Sequence, residues 1–294
     1  MNKLDEVVEA LSFPVVKVPV FIQQGENYVE GVGCNVVRTD TNQAIAQVSS
    51  TYGLIGHGTA LKPVLAAVDG LQFKVSRYYM DHFGKSVMVK AFSEKSWVIG
   101  KLKNGKEDEV KLTLLLINSY DRTTALRIAI AGERLVCKNG MTVSHPAFYG
   151  LGVDLKVVHS QHQIKKLDIV SLGNQVSKLY SAMDAQAESW RKMKNTQVSL
   201  KALADIKEKV LLPVVGKRNL DSVSDLVFNG TGQDGNLTLW SLYNGITEHY
   251  SRAAEKSKTP VSAHTNLYRK SKDFLSNLDE WTNANTEQLV TVNA

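Results

Sequence analysis

The chain has 294 residues, 43% hydrophobic and 22% charged, with 35 lysines and arginines against 29 acidic residues and a formal net charge of +6. That composition is ordinary for a soluble globular protein, gives ample length for a core, and excludes a low-complexity or disordered chain. No apolar run approaches the roughly 20 residues of a membrane helix.

Residues 1–13 place Leu4, Val7, Val8 and Leu11 at helical spacing, and Pro14 and Pro19 are expected to break the helix. Residues 29–37 and 44–50 read as a hairpin around the polar stretch 38–42. Residues 59–68 form a helix with Pro63 in its first turn and Gly70 at its end. Residues 72–80 and 85–92 are strands flanking a turn at 81–84. Residues 97–102 stay unassigned, and 103–108 read as a charged loop.

Residues 111–117 are almost wholly apolar and of strand length. Asn118-Ser-Tyr-Asp121 is turn chemistry, because short polar side chains bond their own backbone there. Residues 124–131 then alternate. Leu126, Ile128 and Ile130 point one way, and Arg127, Ala129 and Ala131 the other. A second turn falls at Asn139-Gly140.

The second half turns helical. Ile169, Leu172, Val176, Leu179, Met183, Ala187 and Trp190 recur every three or four residues, so 168–195 is one long amphipathic helix with Asp168 as its N-cap. Ser199 starts another, with Leu200, Leu203, Ile206 and Val210 inward and Pro213 as its stop. Residues 237–254 and 266–281 are further helices, and the last dozen residues fray. The fold class is therefore α+β. An antiparallel sheet of successive hairpins, residues 1–160, packs against a helical subdomain, residues 161–294.

The case for chemistry is thin. His159 and His162 suit one helical face but lack a third metal ligand nearby. Cys34 and Cys137 lack framework spacing, which points to a reducing cytosol, and a lone cysteine at a strand end is more often a small buried hydrophobe than a nucleophile. The N-terminal stretch lacks a basic region followed by an apolar one, so no secretory signal is expected. Gly56-His-Gly-Thr59 precedes a helix, but without P-loop spacing it is a plain loop sooner than a phosphate cradle. Asp40, Asp69, Asp81, Asp108 and Asp121 all fall in turns, where Asp is expected anyway. No cofactor, metal or catalytic set is implied, and the expectation is a non-enzymatic protein.

Charge is the stronger signal. Residues 156–218 hold 12 lysines and arginines against 5 acidic residues. Such an excess fits a polyanion, and equally a solvated helix surface. The candidate nucleic-acid contacts are Arg77, Lys85, Lys90, Arg127, Arg134 and Lys138 near the strands. Lys165, Lys166, Arg191 and Lys192 join them near the long helix, where Lys178 and Lys194 also lie. Tyr78, Tyr79 and Phe83 are available to stack bases, or to fill the core.

An order of motifs carries a resemblance. Arg38-Thr-Asp-Thr, Val48-Ser-Ser-Thr-Tyr52, Asn118-Ser-Tyr-Asp121, Arg134-Leu-Val-Cys-Lys-Asn-Gly-Met141 and Leu237-Thr-Leu-Trp-Ser-Leu-Tyr-Asn-Gly-Ile-Thr-Glu248 follow one another. The chain resembles the phage/plasmid-like family known as domain of unknown function 932. It departs from the family pattern at Ser241, where Asp is usual, and at Gly245, where Ala is usual. The resemblance implies a virus or mobile element as source and the host cytoplasm as location, and brings no catalytic residues. A looser likeness is to the single-strand annealing proteins of phage recombination, which also place hairpins before a long helix. The leading expectation is single-stranded DNA binding, with strand annealing and homo-oligomer formation. The alternative is an interaction module for a host or phage protein; an uncharacterised enzyme is third. No membrane partner is expected.

Overall fold

A computed structural model describes residues 3–70, 72–121, 127–136, 139–142, 155–156, 169–231, 233 and 235–291. The chain divides into two compact units interleaved in sequence. One draws on residues 1–92, 114–129 and 153–176, the other on 93–113, 130–152 and 177–294.

The first unit opens with α1 (Lys3–Ala10), followed by a three-stranded antiparallel sheet in the order β1 (Val15–Gln24), β2 (Asn27–Arg38), β3 (Gln43–Val48). The β2–β3 hairpin is the one expected from residues 29–50, closed at Arg38↔Gln43. α1 ends before Pro14 as expected, and β1 fills a stretch for which the sequence carried no assignment. Pro14 precedes the strand, and Pro19 sits in it at a sheet edge, where the missing N–H costs no ladder bond; the register shifts just beyond it. Phe13, Cys34, Val36, Ile45, Val48 and Tyr120 form the core beneath this sheet. α2 (His57–Gly70) follows, burying Leu61, Val64, Leu65 and Val68 as its spacing predicts.

A six-stranded sheet has the path β4 (Phe73–Asp81), β5 (Ser86–Lys101), β6 (Glu107–Ser119), β7 (Arg127–Arg134), β8 (Asn139–Thr142), with β9 (Leu155–Lys156) pairing β7. The unassigned stretch 97–102 completes β5, and the charged stretch 103–108 turns into β6, where the Leu102 amide bonds the Lys106 carbonyl at 2.8 Å. The turn expected from Asn118 begins late, since Asn118 and Ser119 still belong to β6.

The long helix is α3 (Ile169–Asn195), with Ala182, Met183, Ala187 and Trp190 buried; Asp168 lies outside the described residues. β10 (Thr196–Val198) leads to α4 (Leu200–Ile206), where the Ser199 hydroxyl caps the Ala202 amide at 3.1 Å. Leu200, expected inward, is 78% exposed at the first helical position; Leu203, Ile206 and Val210 are buried. Pro213 does not stop the helix. A π-helical turn, Lys207–Leu211, precedes it and the chain continues as α5 (Leu212–Val215), accommodating the amide hydrogen that proline lacks.

Three further helices follow: α6 (Lys217–Asn229), α7 (Leu239–Glu255) and α8 (Pro260–Ala284). α6 and α7 touch at Gly245, where a Cβ would stand 2.8 Å from Val227 Cγ2 and 3.1 Å from the Val227 amide. The expected fraying of the last dozen residues does not extend to β11 (Leu289–Thr291), which pairs with β10.

Candidate functional site

Two buried polar centres hold the residues that looked most like chemistry. In the first unit, His57 is fully buried at the start of α2. Its Nε2 lies 2.7 Å from the Gly84 carbonyl, and its Nδ1 lies 2.8 Å from Asn118 Nδ2. This fixes a neutral tautomer in which Nε2–H donates and Nδ1 accepts. Burial pushes the pKa of His57 down to about 4, against the opposing bond to Gly84. The Tyr120 hydroxyl accepts from the His57 amide at 3.0 Å, and burial pushes the Tyr120 hydroxyl pKa up to about 12.

The turn that offers the Gly84 carbonyl is built from three residues of positive φ, His82, Phe83 and Gly84. Only glycine fits at 84, because a Cβ there would stand 2.3 Å from the Phe13 ring. The first amides of α2 are committed, His57 to Tyr120 and Gly58 to the Leu11 carbonyl at 3.0 Å. A phosphate cradle is therefore absent from Gly56-His-Gly-Thr59, and its plain-loop reading gives way to a helix start.

In the second unit, Asp108 and Arg134 form an ion pair with both side chains buried. Arg134 Nε donates to Asp108 Oδ1 at 2.6 Å, and its Nη2 donates to Oδ2 at 2.7 Å. Trp240 Nε1 donates to the same Oδ2 at 3.1 Å, and Lys194 Nζ at 3.3 Å. Burial works against the Asp108 carboxylate, but the Arg134 bond and the charges of Arg134 and Lys194 outweigh it and hold the carboxyl below its ordinary pKa. Arg134 Nη1 also reaches the Thr231 carbonyl at 3.3 Å, and its guanidinium lies 5.7 Å from the Trp240 ring centre. Asp108, read from sequence as a turn carboxylate, is the anchor of this centre.

The signature segments thus meet one another. Arg134 begins one, Trp240 lies in another, and the Gly140 amide donates to Ser251 at 3.2 Å just beyond it. Within the same segment Ser241 and Thr238 cap α7 reciprocally, with Ser241 at the N3 position. Asn118 and Tyr120, from a third segment, hold His57. These motifs are recognisable because they build the core, and each of these buried groups is paired within the protein.

The candidate contacts scatter accordingly. Arg134 is buried and ion-paired, so it cannot lie along a phosphate backbone. Lys90 is 2% exposed, 5.4 Å from the Tyr79 ring centre, and is withdrawn for the same reason. Arg77 is half-buried against Tyr79, and Lys85 is paired with Asp121 at 2.9 Å. Arg191 is half-buried, bonded to the Val98 carbonyl and Glu188. Lys192 is exposed. Lys138, Lys165 and Lys166, like Cys137, His159 and His162, lie outside the described residues, as does the side chain of Arg127. Of the aromatics offered for stacking, Phe83 is 64% exposed, Tyr78 marginally so, and Tyr79 is half-buried.

Sequence reasoning missed the exposed cations further along, Lys201, Lys217 and Arg218. These three, with Lys178 and Lys192, are all exposed, and none forms an ion pair among the described residues. Three of the acids in this stretch are occupied, Asp184 with Lys95 and Trp97, Glu188 with Arg191, and Asp205 with Lys209 and Trp281, while Glu208 is exposed and without an ion pair among the described residues. Among the described residues no group of three or more histidine, cysteine or acidic side chains is placed to hold a metal, and no helix is long and apolar enough to cross a membrane.

The family model described as domain of unknown function (DUF932) matches residues 44–279. No curated protein and no solved structure matches the chain.

Proposed function

The chain belongs to the DUF932 family, and from that premise we propose that it is a non-enzymatic protein of a phage or mobile element that binds single-stranded DNA and anneals strands. The observation that carries this reading is the asymmetry of pairing between residues 178 and 218. The acids Asp184, Glu188 and Asp205 are neutralised by neighbours and only Glu208 stands exposed and unpaired among the described residues, while Lys178, Lys192, Lys201, Lys217 and Arg218 all face water unpaired there. A surface arranged in this way keeps its positive field and attracts phosphates without regard to base sequence. The paired buried centres favour a binding role over catalysis. A gel shift with a single-stranded oligonucleotide, followed by annealing of complementary strands, tests it. Retarded complexes of similar affinity for unrelated sequences are expected; absence of any complex at low salt would defeat the proposal.

A second reading, an interaction module for a host or phage protein, is favoured by the β1–β2 hairpin. Phe21, Ile22, Tyr28, Val29 and Val32 are all exposed on it, and apolar surface of this kind marks protein contacts. Retention of a partner that disappears on replacing Phe21 and Tyr28 by serine, with DNA binding absent, would establish that reading instead.

A further inference from the structure

An open groove lies between α6 and α7. Its volume is about 290 Å³, and its walls include Ser222, Asp225, Leu226, His249, Arg252 and Lys256. His249, Arg252 and Lys256 follow at intervals of three and four, so successive turns at the end of α7 bring them to one side.

The donors are prepared for a ligand. Arg252 Nη2 is bonded to the Glu248 carboxylate and, at 3.2 Å, to the Thr231 hydroxyl. Glu248 is itself 1% exposed and accepts from the Thr231 amide at 2.9 Å and the Thr231 hydroxyl at 2.8 Å. A buried carboxylate therefore holds the guanidinium in one orientation, leaving Nε and Nη1 uncommitted among the described residues. Lys256 is exposed, without an ion pair among the described residues. The Ser222 hydroxyl lies 3.3 Å from His249 Nδ1; with that nitrogen accepting, the proton sits on Nε2 as a further donor. Asp225, the carboxylate in the wall, has Oδ1 occupied by Asn229 Nδ2 at 2.7 Å.

We infer that this groove binds a phosphate monoester group, met by the Arg252 guanidinium, the Lys256 ammonium and the Nε2–H of His249, whose ring the Ser222 hydroxyl orients by donating to Nδ1. A tetrahedral dianion has enough lone pairs for all three, and a guanidinium held beforehand by Glu248 binds it at less cost of ordering. The groove exceeds the phosphate in size and leaves room for the organic part of the ester. Two sources share this chemistry, the terminal phosphate of a nucleic-acid strand and a small free phosphoester. The inference stands apart from the DNA reading, since the groove does not use Lys178, Lys192 or Lys201.

Titration calorimetry with inorganic phosphate, then glycerol 3-phosphate, on the full chain tests the site. Saturable binding is expected, weakened about tenfold or more in Lys256→Ala, which removes a cation, and in Ser222→Ala, which releases the His249 ring from its orientation. Arg252 is left intact so that Glu248 is not stranded. Tighter binding of a 5′-phosphorylated oligonucleotide than of its 5′-hydroxyl twin assigns the site to strand ends; preference for glycerol 3-phosphate alone assigns it to a small ester. No saturable phosphate binding, or equal binding by both variants and the unaltered chain, overturns the inference. Phosphate binding in a protein that fails to retain unphosphorylated DNA would defeat the DNA proposal and leave this one standing.

Discussion

Replacing Asp108 by asparagine keeps the shape of the side chain and removes its charge. Arg134 and Lys194 then face each other with no anion between them, and Arg134 is fully buried. Breaking a buried pair by removing one partner costs about 3–5 kcal/mol, because the remaining charge is left desolvated. The reverse change is milder. Arg134→Met leaves Asp108 bonded to Trp240 and to Lys194, so its charge keeps a partner. The order of the two losses is therefore fixed by geometry, with Asp108→Asn the larger. All four tryptophans, Trp97, Trp190, Trp240 and Trp281, belong to the second unit, so their fluorescence during urea unfolding at pH 7 reports on it. A loss below about 1 kcal/mol for Asp108→Asn, outside the range for a broken buried pair, would refute the reasoning. So would a larger loss for Arg134→Met. Folded Arg134→Met should also keep its affinity for DNA, since that arginine is in the core.

Acid should weaken the first unit through His57. The unfolded histidine takes up a proton near pH 6.5 and the folded one near pH 4, so the stability held by the neutral ring is complete above 6.5, falls between 6.5 and about 4, and is gone below. The full span amounts to about 3 kcal/mol, and unfolding curves of His57→Gln across that window should lack the slope seen in the unaltered chain. Gly245→Ala should cost about 1–3 kcal/mol by thermal melting, because the new methyl meets Val227 at 2.8 Å. An unchanged melting temperature would mean that α6 and α7 part more readily than their packing indicates.

Much of the fold was legible because period and turn chemistry are local. The β2–β3 hairpin, α2 and the long α3 helix follow from alternation, a proline in a first turn, and apolar residues every three or four positions. β1 was illegible because Pro14 and Pro19 signal the end of a helix without showing that an edge strand, which tolerates Pro19, follows it. The interleaved units were hidden because each gathers strands and helices from distant stretches of the chain. The candidate site failed where burial decides the role. Arg134 follows Glu133 in a polar pair that reads as surface, and only Asp108, 26 residues away, shows that it faces inward. Asn118 and Asp108 have turn composition but are strand residues satisfying buried partners. A signal was present for the exposed cations, in the basic excess of residues 156–218, but which acids cancel which bases depends on the fold.

The account stands most directly on the salt dependence of single-stranded DNA binding. A fluorescently labelled oligothymidine, titrated with the full chain at a series of salt concentrations, should bind at low salt and weaken linearly on a log–log plot as salt rises. Reversing charge together at Lys192, Lys201, Lys217 and Arg218 should flatten the slope by about 0.7 for each phosphate that is no longer neutralised. No binding at low salt, or a slope unchanged in that variant, would contradict the claim that the exposed cations of the second unit grip a DNA strand.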